Sequence, residues 1–145
     1  MSTKDAHLDA SLASVPWDCH TVVLEGLTLK SAGGFRAVLL AVDRSANVVL
    51  RRCRFVGSDY DGVRITGGSQ VTMVECEVSD CGNAGVFVED RSRLVMRDCL
   101  VSGNRCGIVA SGAGTVVSVQ GRSARIDGNR VSGAVAGNQA QVFIR

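Results

Sequence analysis

From Val48 to Thr115 the chain repeats one pattern three times: VVLRRCRFVGSDYDGVRITGGSQ, VTMVECEVSDCGNAGVFVEDRSR and LVMRDCLVSGNRCGIVASGAGT. Set beneath one another, these segments put Leu50, Met73 and Met96 in one column and Cys53, Cys76 and Cys99 in a second. Phe55, Val78 and Val101 make a third column, and Gly62, Gly85 and Gly107 a fourth. A unit of about 22–23 residues at fixed spacing constrains the fold more than composition can, because such a unit buries its apolar face only by stacking on the next copy.

Within each copy, apolar and polar residues alternate over short runs rich in β-branched side chains, which is the strand signal. In the second copy Val71-Thr72-Met73, Cys76-Glu77-Val78 and Gly85-Val86-Phe87-Val88-Glu89 read as strands. Ser79-Asp80-Cys81-Gly82-Asn83 and Asp90-Arg91-Ser92 between them have turn composition. Three strands and three corners make one coil. Coils in register make three parallel sheets, with neighbouring strands about 4.8 Å apart and like residues above like.

The lines "VMRDCLVSGNRCGIVAS" and "ARIDGNRVSG" carry a resemblance to the right-handed parallel β-helix of the pectate-lyase-like superfamily, over roughly Val22 to the C-terminus. The resemblance implies an all-β fold of about five coils. It also implies an inward ladder at a turn position, assigned from the sequence to Leu27, Cys53, Cys76, Cys99 and Asn129. Sugar-cleaving enzymes and non-catalytic modules, such as those of certain F-box proteins, share this fold, so the resemblance speaks to architecture more than to activity.

Two regions are expected: an N-terminal cap over residues 1–21 and a β-helix over residues 22–145. In the cap, Leu8, Leu12 and Val15 fall at helical spacing, with Thr3 placed to cap a short helix and Pro16 to stop it. Such a helix would cover the open end of the first coil. The first coil runs from Val22 to about Asn47, with Ala37-Val38-Leu39-Leu40 matched to Gly62-Val63-Arg64-Ile65. After the third copy, matching Val131-Ser132-Gly133 to Val101-Ser102-Gly103 requires an insertion around Gly114 to Ser123. The last coil then ends in Gln141-Val142-Phe143-Ile144-Arg145, with nothing in the sequence to cover it.

The chain has 145 residues, a net charge of +2 and six cysteines. That charge does not provide the basic face a nucleic-acid-binding protein needs, and no apolar run reaches the length of a membrane span. No C-x-x-C motif occurs, and Cys53, Cys76 and Cys99 recur at the repeat period. In-register side chains point the same way, which suits a disulfide poorly, so these cysteines read as reduced packing residues of an intracellular, cytoplasmic protein. Cys19, Cys81 and Cys106 read as corner packing and no metal site is expected.

Two surfaces are candidates for function. One is an outward column of the Gly-led strands, read as Leu39, Arg64, Phe87, Val109 and Phe143, whose apolar character marks a contact surface. The other is an acidic corner with Asp59, Asp61 and Asp80, followed by Arg64. By resemblance, carboxylates beside a basic residue would belong to a polysaccharide lyase or epimerase, with Ca²⁺ held by the acids and the basic residue abstracting a proton. The Asn-Thr-Asp, Gly-His-Gly and Asp-Pro-His signatures of such enzymes are absent, and His7 and His20 both precede the repeats. The expected function is therefore a non-catalytic binding or assembly module without a cofactor. It would take a protein partner or self-associate as a homodimer through the C-terminal coil or the apolar column. A carbohydrate-active enzyme is the alternative, with carbohydrate as its ligand.

Overall fold

Each coil is made by short strands that put alternate side chains inward and by corners that turn through left-handed backbone. The computed structural model describes residues 6–9, 21–31 and 37–145, the first stretch as backbone alone. A strand β1 (Ala6–Asp9) precedes the coils. The first coil holds β2 (Val22–Glu25), β3 (Thr28–Lys30) and β4 (Leu40–Asp43). The second holds β5 (Asn47–Arg51), β6 (Arg54–Val56) and β7 (Val63–Ile65), and the third β8 (Gln70–Val74), β9 (Glu77–Ser79) and β10 (Ala84–Val88). The fourth holds β11 (Arg93–Arg97), β12 (Leu100–Ser102) and β13 (Cys106–Ser111). The fifth holds β14 (Val116–Gln120), β15 (Arg125–Asp127) and β16 (Ser132–Gly137), after which β17 (Gln141–Ile144) begins another turn.

Stacking these coils gives three sheets in which every described pairing is parallel: β2-β5-β8-β11-β14-β17, β3-β6-β9-β12-β15 and β1-β4-β7-β10-β13-β16. The all-β solenoid of about five coils read from the sequence is the observed fold. Inward columns run unbroken along it. Leu24, Leu50, Met73, Met96, Val119 and Ile144 form one, and Leu29, Phe55, Val78, Val101 and Ile126 another.

The corners explain residues that a strand pattern cannot. Gly26, Arg52, Glu75, Asp98 and Gly121 all have positive φ, and the three non-glycines carry a steric cost of about 1–2 kcal/mol each. Their amides offset that cost by reaching the next coil, Arg52 N to Val74 O and Glu75 N to Arg97 O at 2.9 Å, and Asp98 N to Gln120 O at 3.0 Å. The glycine column has a different cause. A Cβ on Gly85 would lie 2.8 Å from both Gly107 O and Asn104 Nδ2, so this column is glycine because successive backbones approach too closely for a side chain.

Three expectations are corrected. Residues Ala6–Asp9 are not helical but form β1, parallel to β4 with Ala6 opposite Leu40. A strand satisfies the open backbone edge of β4, which a helix lying across it could not; Leu12 and Val15 lie outside the described residues. The segment expected as an insertion around 114–123 is mostly regular strand: β14 continues the first sheet, with Val117 opposite Leu94 and Val119 opposite Met96, and the corner from Gln120 to Arg125 is only two residues longer than that from Arg97 to Leu100. Finally, the rung above Cys99 is Ala124, not Asn129, since Leu100 pairs with Arg125. Asn129 stands instead over Asn104, whose side-chain amide donates to Asn129 Oδ1 at 3.1 Å.

Candidate functional site

The acidic corner is built where the second coil turns into β7. Asp61 is wholly buried there. Its Oδ1 accepts from Asn83 Nδ2 at 2.9 Å and from the amide of Ala84 at 3.1 Å, while Oδ2 accepts from Arg64 Nη1 at 3.1 Å. The other end of the guanidinium donates to Glu89 Oε1 at 3.2 Å, and its Cζ lies 4.6 Å from the centroid of the Phe87 ring. Burial alone would lower the pKa of Arg64, but Asp61 and Glu89 outweigh it and hold the group above its ordinary value. An arginine clasped by two carboxylates stays protonated, so it does not supply the base that a lyase reaction needs.

The other two acids do not join this pair in a shared site. Asp59 is exposed, and Asp80 sits in left-handed backbone at the next corner, its Oδ1 filling the space where a Cβ on Gly103 would stand. Among the described residues no three His, Cys, Asp or Glu groups converge as metal ligands would. What the corner does chemically is join coils. Asp61 binds the second to the third through Asn83 and Ala84, and Arg64 does the same through Glu89.

The outward column of the third sheet is Ala41, Arg64, Phe87, Val109 and Val135. Leu39 and Phe143 are therefore misplaced in the sequence reading. Leu39 is fully buried, because the first coil registers two residues later than expected and Leu40 pairs with Val63. Phe143 belongs to the first sheet, opposite Ser118. Phe87 and Val109 are half-buried, and Arg64 covers the Phe87 ring, so the middle of this column is not an apolar patch.

Exposed large apolar side chains lie elsewhere. Among the described residues they are Val22 and Val23 at one end of the rod, and Val131, Val135, Phe143 and Ile144 at the other. Ile144 is the telling case: it stands on an inward column above Val119, yet it is 60% exposed while Val119 is 2% exposed. Val131 and Val135 were missed by sequence reasoning, since neither breaks the repeat pattern, whereas Ile144 was read there only as part of the uncovered terminal strand. Asn104 was missed too, although a signal was present: Gly103-Asn104-Arg105 recurs as Gly128-Asn129-Arg130.

A shallow groove of about 620 Å³ runs where the first and second sheets meet, lined among others by Arg54, Glu77, Asp98 and Leu100. Several of its charges are already engaged. Arg54 Nε lies 3.1 Å from Glu77 Oε2, and Asp98 Oδ1 accepts from the amide of Ser123 at 3.0 Å. Cys76 forms part of its floor but is almost fully buried.

The cysteine column is a column of hydrogen-bonded thiols. Cys53, Cys76 and Cys99 donate to the carbonyls of Leu24, Leu50 and Met73 at 3.5, 3.3 and 3.4 Å. Cys53, Cys76, Cys81, Cys99 and Cys106 are all free of disulfides. Hydrogen bonding with Cys99, and then burial, push the Cys76 thiol up; burial pushes Cys53 up. Cys81 is pushed up to about 11 by burial, with Asp61 and Asp80 adding to the effect. Cys53, Cys76 and Cys81, held in this state, are poor nucleophiles.

A family model described as "Right handed beta helix region" matches residues 19–131. No curated protein and no solved structure matches the chain.

Proposed function

We propose that this chain, which belongs to the right-handed β-helix family, is a non-catalytic binding module that contacts a protein partner through its C-terminal coil. The observation that carries the proposal is the 60% exposure of Ile144, an inward-column residue, beside exposed Phe143, Val131 and Val135. Among the described residues four of the six exposed large apolar side chains gather at this end of the rod, and such a cluster marks a contact site. The open strand edges of β15, β16 and β17 add backbone donors and acceptors that an extended partner can pair with.

The enzyme alternative draws less support, because its central acid and base are bound to each other inside the wall. The binding reading needs no cofactor. It includes an intracellular setting, for which the stacked free thiols speak, since such columns persist where cysteines are kept reduced.

The test is a pull-down with the immobilised protein, run beside Phe143→Lys and Ile144→Asp variants shown by circular dichroism to keep the strand signal. The captured protein, purified and returned to the wild-type chain, should bind it and should bind both variants at least tenfold more weakly. Binding unchanged by either substitution would overturn the proposal. So would turnover of a uronate polymer that disappears in Asp61→Asn.

A further inference from the structure

The arginines of the strands divide by face. Every arginine in the second and third sheets is answered by a carboxylate: Arg54 by Glu77, Arg125 by Asp127, and Arg64 by Asp61 and Glu89. The first sheet is different. Its strands β5, β8, β11, β14 and β17 hold Arg51, Arg93 and Arg97 and no carboxylate. The one acid of that sheet, Glu25 in β2, is already held by Arg52 of the neighbouring corner. Arg51, Arg93 and Arg97 are exposed, and none of their guanidiniums has an ion pair or hydrogen bond among the described residues. Glu75, Asp90 and Asp98 stand in the flanking corners in left-handed backbone, out of ion-pair contact with these three, and Asp98 is turned to the amide of Ser123 at 3.0 Å.

The same face carries an apolar strip. Because the strands stack in register, Val49, Thr72 and Val95 form its central outward column, and Val74 stands between Arg51 and Arg97 on the column beside it. All four are half-buried, while Leu50, Met73 and Met96, which alternate with them, are fully buried. In the third sheet the matching position is closed, since Arg64 lies over the Phe87 ring. Here the arginines stand aside from the strip. Arg93 and Arg97 lie on either side of Val95 in one strand, about 13 Å apart along it, and Arg51 lies two strand spacings from Arg97, about 10 Å. Positive charge therefore borders the strip on both sides, at a separation that admits an α-helix, whose diameter with side chains is about 10–12 Å.

The geometry points to the outward face of the first sheet as a second contact surface, whose occupant is an acidic amphipathic helix of another protein. The apolar stripe of that helix lies along Val49, Thr72 and Val95. Its flanking carboxylates meet Arg93 on one side and Arg51 and Arg97 on the other, where unpaired guanidiniums favour planar, bidentate acceptors. An apolar centre with a charged rim is the anatomy of a protein interface. Strands β5, β8, β11 and β14 offer no aromatic ring on which a nucleic-acid base could stack. A second copy of the chain fits less well, because a two-fold contact would set these arginines against one another. The surface lies on the middle coils, apart from the contact through the C-terminal coil.

The probe is a dye-labelled helical peptide of about 16 residues, or about 24 Å, with a leucine stripe flanked by glutamates. It is titrated against the intact protein and followed by anisotropy. The expected result is saturable binding, weakened at least tenfold between about 0.05 and 0.5 M salt as screening shortens the reach of the charges. An analogue flanked by lysines, and one with serines in place of the leucines, should each bind at least tenfold more weakly. Arg93→Glu with Arg97→Glu should weaken the glutamate peptide at least tenfold, and Arg51→Glu alone at least threefold. Arg105→Glu with Arg125→Glu makes the same change of net charge away from the first sheet and should alter binding less than twofold. Circular dichroism checks that each variant keeps the strand signal. Absence of binding, or equal losses in the two double variants, would overturn the inference, while the pull-down judges the C-terminal coil separately. Polygalacturonate bound by the same arginines as tightly as the peptide would overturn it in favour of an anionic glycan. Sedimentation showing a dimer that Arg93→Glu with Arg97→Glu dissociates would overturn it in favour of a second copy.

Discussion

The third coil and the fifth are built to one plan and differ in what covers them. In the third, Val71 and Met73 are buried between Val48 and Leu50 on one side and Leu94 and Met96 on the other, and Val78, Val86 and Val88 are buried likewise between Phe55, Val63 and Ile65 and Val101, Ile108 and Ala110. In the fifth coil and β17, Ile126, Ala134 and Val142 stand on the same columns but are only half-buried, and Ile144 is exposed. At this end of the rod burial is therefore a property of having a coil on each side rather than of the residue or its strand.

The largest expected difference comes from cutting the same column at two heights. Met73→Ala should cost about 2–5 kcal/mol, read as a shift in the urea midpoint, while Ile144→Ala should cost about 0.5 kcal/mol. Equal losses would mean that the end is as well packed as the middle. Titration should separate the regions next. Cys81 is raised from the ordinary 9.0 to about 11. The unfolded chain thus loses this proton first, and the stability the buried thiol contributes is full below about pH 9 and falls as pH rises to about 11. That fall is about 2–3 kcal/mol for this group. Cys81→Ala should flatten the decline; an unchanged slope would place its origin elsewhere.

A smaller contrast concerns the clamps. Asp61→Asn keeps the acceptor for Asn83 and Ala84 but loses the charge on partly exposed Arg64, so the fold should survive with a loss of about 1–2 kcal/mol. Asp127→Asn removes a pair within one exposed strand and should change thermal stability by less than about 0.5 kcal/mol. Between these two, Cys76→Ser should cost about 1 kcal/mol, because Leu50 O is already placed to accept from a hydroxyl. In the native protein half-exposed Cys106 should react with a thiol reagent well before Cys53, Cys76, Cys81 and Cys99. Fast modification of the buried four would contradict the packed centre.

The repeat was legible because each column keeps a chemical type through three copies. It became hard to follow where the type changed. Above Cys99 the column passes to Ala124, which marks nothing, and the corner before it is longer. The letters Val-Ser-Gly at 131–133 then offered a false match, although Val116-Val117-Ser118-Val119 was itself the continuing strand. The N-terminal segment failed for a related reason. Ala6-His7-Leu8-Asp9 alternates like a strand, while Leu8, Leu12 and Val15 fit a helix, and the open edge of β4 decides between them. The acids at the candidate site were visible, but their pairing was not: that Asp61 turns inward while Asp59 does not follows from the path of a corner, which turn composition does not specify. The exposed end was legible only as an unpaired strand.

The alternation of charge along the rod sets a limit on how such a molecule can change length. Residues 47–69 and 70–92 are related by a step of one coil, Gln70 falling opposite Asn47 and Arg93 opposite Gln70. For the backbone and the inward columns, that single step is a full lattice translation. For the outward charges it is not, since Arg54 maps onto Glu77 and a duplicated third coil would set Glu77 upon its own copy. At this rung, duplication of residues 47–92 would again set arginine beside carboxylate, whereas duplication of the third coil alone would set Glu77 against Glu77, so the outward pair makes the two ways of lengthening unequal where the inward columns do not.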